Sequence, residues 1–143
     1  MEKSEYDALK LDNQLCFPLY AAAREVVKKY RPFLDELDLT YTQYIAMMVM
    51  WEHEQITVKE LGEKLYLDSG TVTPVVKSLI AKGHVQKQRN QADERSVIVS
   101  LTEQGRTLRK FAADVPHRVA DCISLDPSEA VQLYTLLYKV LKS

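Results

Sequence analysis

Apolar residues recur at helical spacing from Asn13 to about Glu36, with Leu15, Leu19, Ala22, Ala23, Val26, Val27, Tyr30 and Leu34 on the repeat. Pro18 fits a helix only in its first turn, which places the start close to Cys16, and Pro32 predicts a kink or an end. Thr40-Tyr41-Thr42-Gln43 has the form of a capping box. The stretch it opens, Tyr44 to Trp51, is apolar nearly all round, the mark of a central, buried helix. Thr57-Val58-Lys59-Glu60 is a second capping box, opening a short helix with Val58, Leu61 and Leu65 on one face. Asp68-Ser69 then caps a helix that runs to about Lys82 and is stopped by Gly83. Its inward stripe is Val72, Val75, Val76, Leu79 and Ile80. Ser69, Thr73 and Lys77 share the opposite face, flanked by Gly70, Pro74 and Ser78.

After Gly83 the period changes from 3.6 to 2. Val85, Lys87 and Arg89 alternate with polar neighbours, a polar turn covers 90–95, and Ser96 to Leu101 alternates again. This predicts a two-stranded hairpin. Thr102 to Asp121 returns to helix, and Asp126-Pro127-Ser128-Glu129 opens a last one, with Ala130, Leu133, Tyr134, Leu137, Tyr138 and Leu141 as its stripe. The expected fold is mainly α with a small β-hairpin wing, one domain over 1–143. Helix, short turn, second helix and hairpin, over 57–101, form a winged helix-turn-helix arrangement, which can present its second helix to the major groove of DNA.

Composition changes this picture little, but the placement of charge changes it more. The chain has 143 residues, 46% hydrophobic and 27% charged, with a net charge of −1. From Ser69 to Ala92 there is no acid, while Lys77, Lys82, Lys87 and Arg89 are all positive. A local basic face on a near-neutral chain suits a duplex-DNA contact that does not rely on bulk charge. Ser69, Thr71 and Thr73 are short and neutral, able to donate to or accept from base edges beside Pro74. Lys77, Lys82 and Lys87 are placed to reach phosphates, and Arg89 adds to the DNA-binding face. Arg95, near the hairpin tip, suits a narrow minor groove, and Asp93 is placed to pair with it.

No stretch is apolar enough to span a bilayer and the first twelve residues are polar, so a cytoplasmic protein is expected. His53, His84 and His117 have no ligand spacing with Cys16 or Cys122, so neither a metal nor a cofactor is expected. Paired carboxylates, a nucleophile elbow and a phosphate-binding glycine loop are all missing, which argues against an enzyme. A lone cysteine in an apolar segment is ordinarily a small core residue. Cys16, however, falls near a helix N-terminus, where the dipole favours thiolate, and Tyr30 and Tyr41 are able to donate hydrogen bonds to a thiolate.

The run Leu65-Tyr66-Leu67-Asp68-Ser69-Gly70-Thr71-Val72-Thr73-Pro74-Val75-Val76-Lys77, with Asp93-Glu94-Arg95 and Leu101-Thr102-Glu103-Gln104-Gly105, resembles the MarR family of regulators. Leu15-Cys16-Phe17-Pro18-Leu19-Tyr20 and Leu67-Asp68-Ser69-Gly70-Thr71 resemble its organic-hydroperoxide-sensing branch more narrowly. The resemblance extends over nearly the whole chain. It implies a homodimeric repressor that binds pseudo-palindromic double-stranded operator DNA, with 13–36 and 103–142 as dimerisation helices. It further implies that Cys16 is the redox sensor, with Tyr30 and Tyr41 its partners drawn from two subunits. Phe17, Tyr20, Met47 and Met50 would form an apolar pocket for an organic hydroperoxide, and Cys122 would be a resolving thiol. Two other readings stay open: a regulator of the same family governed by a lipophilic or phenolic ligand, and a thiol peroxidase.

Overall fold

The computed structural model describes residues 4–143. Two 3-10 turns, Asp7–Leu9 and Leu11–Asn13, lead into α1 (Cys16–Asp35). There follow α2 (Tyr41–His53), β1 (Gln55–Thr57), α3 (Val58–Leu65), α4 (Ser69–Ala81), β2 (Val85–Asn90) and β3 (Asp93–Leu101). The chain closes with α5 (Glu103–Ala112), α6 (Val115–Ala120) and α7 (Pro127–Leu141). The mainly helical fold with a small antiparallel sheet matches the pattern of the sequence.

Helix starts follow their capping chemistry. The Thr40 hydroxyl accepts the N–H of Gln43 at 3.3 Å while the Gln43 side chain accepts the N–H of Thr40 at 3.0 Å, a complete capping box. Asp126 and Glu129 form the same reciprocal pair at the head of α7. At α3 only half of the expected box is made, with Thr57 accepting from the Glu60 N–H at 3.1 Å. α1 begins at Cys16 as Pro18 requires, and Pro32 lies inside it: the helix runs three residues further and ends at Asp35.

Four expectations need correction. The sheet has three strands, ordered β1-β3-β2, because Gln55–Thr57 pairs antiparallel with 98–100 on β3. The hairpin turn is shorter than 90–95, since β3 already starts at Asp93 and only Gln91 and Ala92 lie between the strands. The segment 102–121 is two helices: a proline at 116 has no N–H to continue the ladder, so the chain turns at Ala113–Asp114 and restarts with Pro116 in the first turn of α6. Lys82, expected at a phosphate, turns inward, as described below.

The core gathers around α2. Ala46, Met47 and Met50 have no exposed surface, and Leu34, Leu61, Val72, Leu79, Val99, Val115 and Val119 pack with them. The C-terminal end of the sheet is locked to α5. The Thr102 hydroxyl caps α5 by accepting the Gly105 N–H at 3.1 Å, and donates to the carbonyls of Gly83 and His84 at 2.7 and 3.0 Å. Gly105 lies so close to this turn that a Cβ there would sit 2.2 Å from the His84 carbonyl oxygen. The Trp51 indole N–H, from the end of α2, donates to the Gly105 carbonyl at 2.8 Å.

Gly105→Ala therefore forces backbone apart rather than a movable side chain. Urea unfolding is expected to show a loss at or above the top of the ~1–3 kcal/mol typical of overpacking.

Candidate nucleic-acid interface and thiol site

α4 is placed by α3 and by a turn without glycine. Tyr66 closes α3 in the left-handed region, φ 56°, and the Leu67 N–H returns to the Gly62 carbonyl at 2.9 Å. Gly62 permits the crossing, since a Cβ there would meet the Leu67 carbonyl oxygen at 2.8 Å and Val72 at 3.2 Å. Asp68 then caps α4 by accepting the Thr71 N–H at 2.9 Å. With Val72, Val76 and Leu79 buried, the opposite face presents Ser69, Thr71, Thr73, Pro74 and Lys77 to solvent.

The wing stands beside this face. Lys87 and Arg89 are exposed on β2, opposite Val99 and Val97 of β3. At the tip, the Asn90 side chain accepts the Ala92 N–H at 3.0 Å and the Asp93 carboxylate accepts the Arg95 N–H at 3.0 Å. Asp93 thus holds the backbone at Arg95 rather than its guanidinium, and the exposed Arg95 side chain forms no ion pair among the described residues. A groove of about 990 Å³ separates wing from helices, with Thr57, Lys59, Tyr66, Ser69 and Arg95 among its walls. Glu60, Glu63 and Asp93 line it too, so its charge is mixed.

Lys82 faces away from this surface. Its Nζ donates to the Asp38 carbonyl and, at 3.0 Å, to Gln43 Oε1, and it lies 3.6 Å from the Asp38 carboxylate. Gln43 also donates from Nε2 to Ser78 Oγ at 2.9 Å, and Ser78 donates to the Val75 carbonyl at 2.7 Å. The sequence marks Gln43 as a cap but gives no sign of this second role, which depends on how α2 crosses α4.

Cys16 is the first residue of α1, exposed and unpaired. Tyr30 and Tyr41 pack with ring centres 5.0 Å apart, and Tyr44, which the sequence marks only as core, joins them at 5.7 Å from Tyr30. Burial pushes all three phenols above their ordinary value, Tyr44 to about 12, so each keeps its proton and remains a donor at neutral pH. Cys16 and Tyr30 are fourteen residues apart on one helix, roughly 21 Å at 1.5 Å per residue, so a single chain does not bring them together. Nor does it assemble Phe17 and Tyr20 with Met47 and Met50: the first two are exposed near the start of α1, the second two sealed in the core.

Cys122 is exposed just beyond α6, its thiol 3.5 Å from the Arg118 carbonyl. Arg118 lies over the Phe33 ring at 4.3 Å and pairs with Glu36 at 3.1 Å, which ties α6 to the end of α1 opposite Cys16. Leu34 is the one buried residue of α1 and α7 has none, although both helices carry continuous apolar stripes. Among the described residues no helix is long and apolar enough to cross a membrane, and no three His, Cys, Asp or Glu side chains gather as a metal site requires.

Comparison with known proteins agrees with this geometry. The family model for the SarA/Rot transcriptional regulators matches residues 28–110. The organic hydroperoxide resistance transcriptional regulator of Bacillus subtilis is 45% identical over 141 residues, covering 99% of this chain and 96% of that protein. Among solved structures, reduced AbfR bound to DNA, a protein of Staphylococcus epidermidis, superposes with a TM-score of 0.78 at 31% identity, covering 96% of each chain. The disulfide form of AbfR superposes at 0.68 and 30% identity, covering 96% of this chain and 94% of that one. A MarR variant from E. coli in complex with operator DNA shares the fold at 0.79 and 24% identity, covering 97% and 99%. These proteins are winged-helix DNA-binding regulators rather than enzymes. The chain belongs to the MarR-type winged-helix transcriptional regulators, in the branch of the organic hydroperoxide resistance regulators.

Proposed function

We propose that the chain is a homodimeric repressor that holds its operator while Cys16 is reduced and releases it when an organic hydroperoxide oxidises that thiol. The observation that carries this reading is an exposed, unpaired thiol opening α1, a helix whose apolar face the rest of the chain leaves uncovered ahead of Tyr30. A second copy packed on 13–36 and 103–142 buries these stripes in an isologous interface. It also supplies what one chain lacks, bringing Tyr30 and Tyr41 to Cys16 from two subunits and enclosing the apolar site of Phe17, Tyr20, Met47 and Met50, the methionines repacking to reach it. The dimer sets two copies of the reading unit, 57–101, at half-sites roughly 34–36 Å apart. Ser69, Thr71, Thr73 and Pro74 then lie on base edges, Lys77, Lys87 and Arg89 on phosphates, and Arg95, held at its backbone by Asp93, in the minor groove.

In the chemical step the thiolate sulfur attacks the O–O bond of the hydroperoxide. An S–O bond forms, the O–O bond breaks, and the alkoxide takes a proton to leave as the alcohol. Sulfur is oxidised by two electrons to the sulfenic acid and the peroxide is reduced by two. Condensation with the thiol of Cys122 from the other subunit forms the S–S bond and releases water. The closer match of this chain to reduced, DNA-bound AbfR than to its disulfide form supports taking the present conformation as the DNA-competent one.

The deciding measurement is fluorescence anisotropy on a duplex enriched from a random pool by the reduced protein. Cumene hydroperoxide is expected to abolish binding by wild type and leave Cys16→Ser bound; an oxidised wild type with unchanged affinity refutes the thiol switch but not DNA binding. On a non-reducing gel, oxidised wild type is expected to run at dimer size and Cys122→Ser at monomer size. Lys77→Ala is expected to weaken binding to operator and random duplex alike and to reduce the salt slope by about one, measured across a potassium chloride series.

A further inference from the structure

Gln43 is polar yet buried, 8% exposed, and every hydrogen-bonding atom of its amide points at a different piece of the chain. Oε1 accepts the Thr40 N–H at 3.0 Å and Lys82 Nζ at 3.0 Å; Nε2 donates to Ser78 Oγ at 2.9 Å. Ser78 passes the connection to the α4 backbone at Val75, and Lys82 returns it to the α1–α2 corner at Asp38. The corner 38–43 is therefore fastened to the second half of α4 by directional polar bonds. The rest of the α2–α4 boundary is apolar, with Ala46, Met47, Val72, Val76 and Leu79 all buried.

The same corner carries the tyrosines. Tyr41 and Tyr44 flank Gln43 in the first turn of α2, and both rings pack on Tyr30 of α1. An apolar contact tolerates sliding, whereas a hydrogen bond is lost once donor and acceptor separate by a few tenths of an ångström beyond about 3.2 Å. Movement of α1 at Tyr30 thus reaches Tyr41, and the turn that holds Tyr41 cannot move without Ser78 and Lys82. We propose that Gln43, Ser78 and Lys82 form the positioning link by which the state of the thiol site sets the pose of the reading helix α4. This rests on the reading of Cys16 oxidation as the trigger, and goes beyond it in naming the contact that transmits the change. Oxidation shifts the α1–α2 corner, and α4 travels with it because the amide of Gln43 holds both.

The test uses the full-length protein, reduced and after cumene hydroperoxide, on the duplex enriched by reduced wild type. Ser78→Ala, Lys82→Met and the double variant cut the link on the α4 side and leave the Gln43 capping box intact; Ser78→Thr keeps the hydroxyl. Each variant is checked by thermal melting, and the rate and stoichiometry of peroxide consumption are measured alongside. The expected result is unaltered peroxide consumption with a ratio of reduced to oxidised operator affinity that falls about fivefold or more in the double variant, the low end of ordinary coupling between sites. Ser78→Thr keeps the wild-type ratio. A folded double variant with the wild-type ratio overturns the link, and so does a parallel fall in the rate of peroxide consumption, which would place these residues at the thiol instead. If the double variant does not fold, the same ratio in the single variants decides. A wild type whose affinity does not respond to peroxide removes the trigger and the link together, an outcome distinct from a responsive wild type with responsive variants.

Discussion

Ala46, Met47 and Met50 are sealed from solvent because other elements close over that side of α2, leaving Met48 44% exposed on the opposite side, and the positions of those elements follow from how they cover it. Tyr30 and Leu34 of α1 close one flank, Leu61 and Val72 of α3 and α4 another, and Val99 of the sheet a third. A helix with so wide an apolar face gathers its neighbours around most of its circumference. Its two ends are fixed by polar bonds instead. Gln43 ties the first turn to α4, and the Trp51 indole ties the last turns to α5 through the Gly105 carbonyl. Just beyond, Glu54 takes a positive φ of 65°, its carbonyl accepting the Leu101 N–H and its carboxylate held by Arg106 at 2.8 Å. The first turn of α2 is thus attached to both α1 and α4, and its last turn to α5 and the end of β3.

This arrangement gives the molecule two unlike surfaces. On one, short hydroxyls and a few cations stand on α4 and the wing, held by bonds internal to the reading unit. On the other, the stripe of α7 and the part of the α1 stripe ahead of Tyr30 lie bare, with Leu15, Tyr20, Val131 and Tyr134 among the exposed side chains. The thiol of Cys16 belongs to the second surface and the hydroxyl row of α4 to the first, and α2 packs against both α1 and α4.

Features governed by local chemistry were legible in the sequence. The start of α1 followed from Pro18, the box at Thr40 from the reach of one hydroxyl and one amide, and the polar row of α4 from its 3.6 period. What escaped depends on neighbours that sequence spacing does not reveal. Three residues, Gln55–Thr57, are too few for an alternation to register, and they became a strand only because 98–100 had a free edge. The α3–α4 turn carries Tyr66 where a glycine would have announced the left-handed conformation. Asp114 makes no side-chain cap, so the break before Pro116 had only the proline itself as a signal. In the candidate site, the hydroxyl row and the thiol at a helix start were readable. The partners of Tyr30, the second role of Gln43 and the direction taken by Lys82 were not, because each depends on which helix lies across from it.

The inward turn of Lys82 bears on how such a regulator behaves among the vast excess of irrelevant sequence in a chromosome. Attraction to any duplex grows with each cation that displaces a condensed counterion, whatever the bases beneath it. Of the four positive side chains in the acid-free stretch, one is spent inside the protein, and acids share the groove beside the wing. In the proposed complex, residence on random DNA would be correspondingly brief. Discrimination in that complex would rest on the hydroxyls of α4, which reward only the right base pairs.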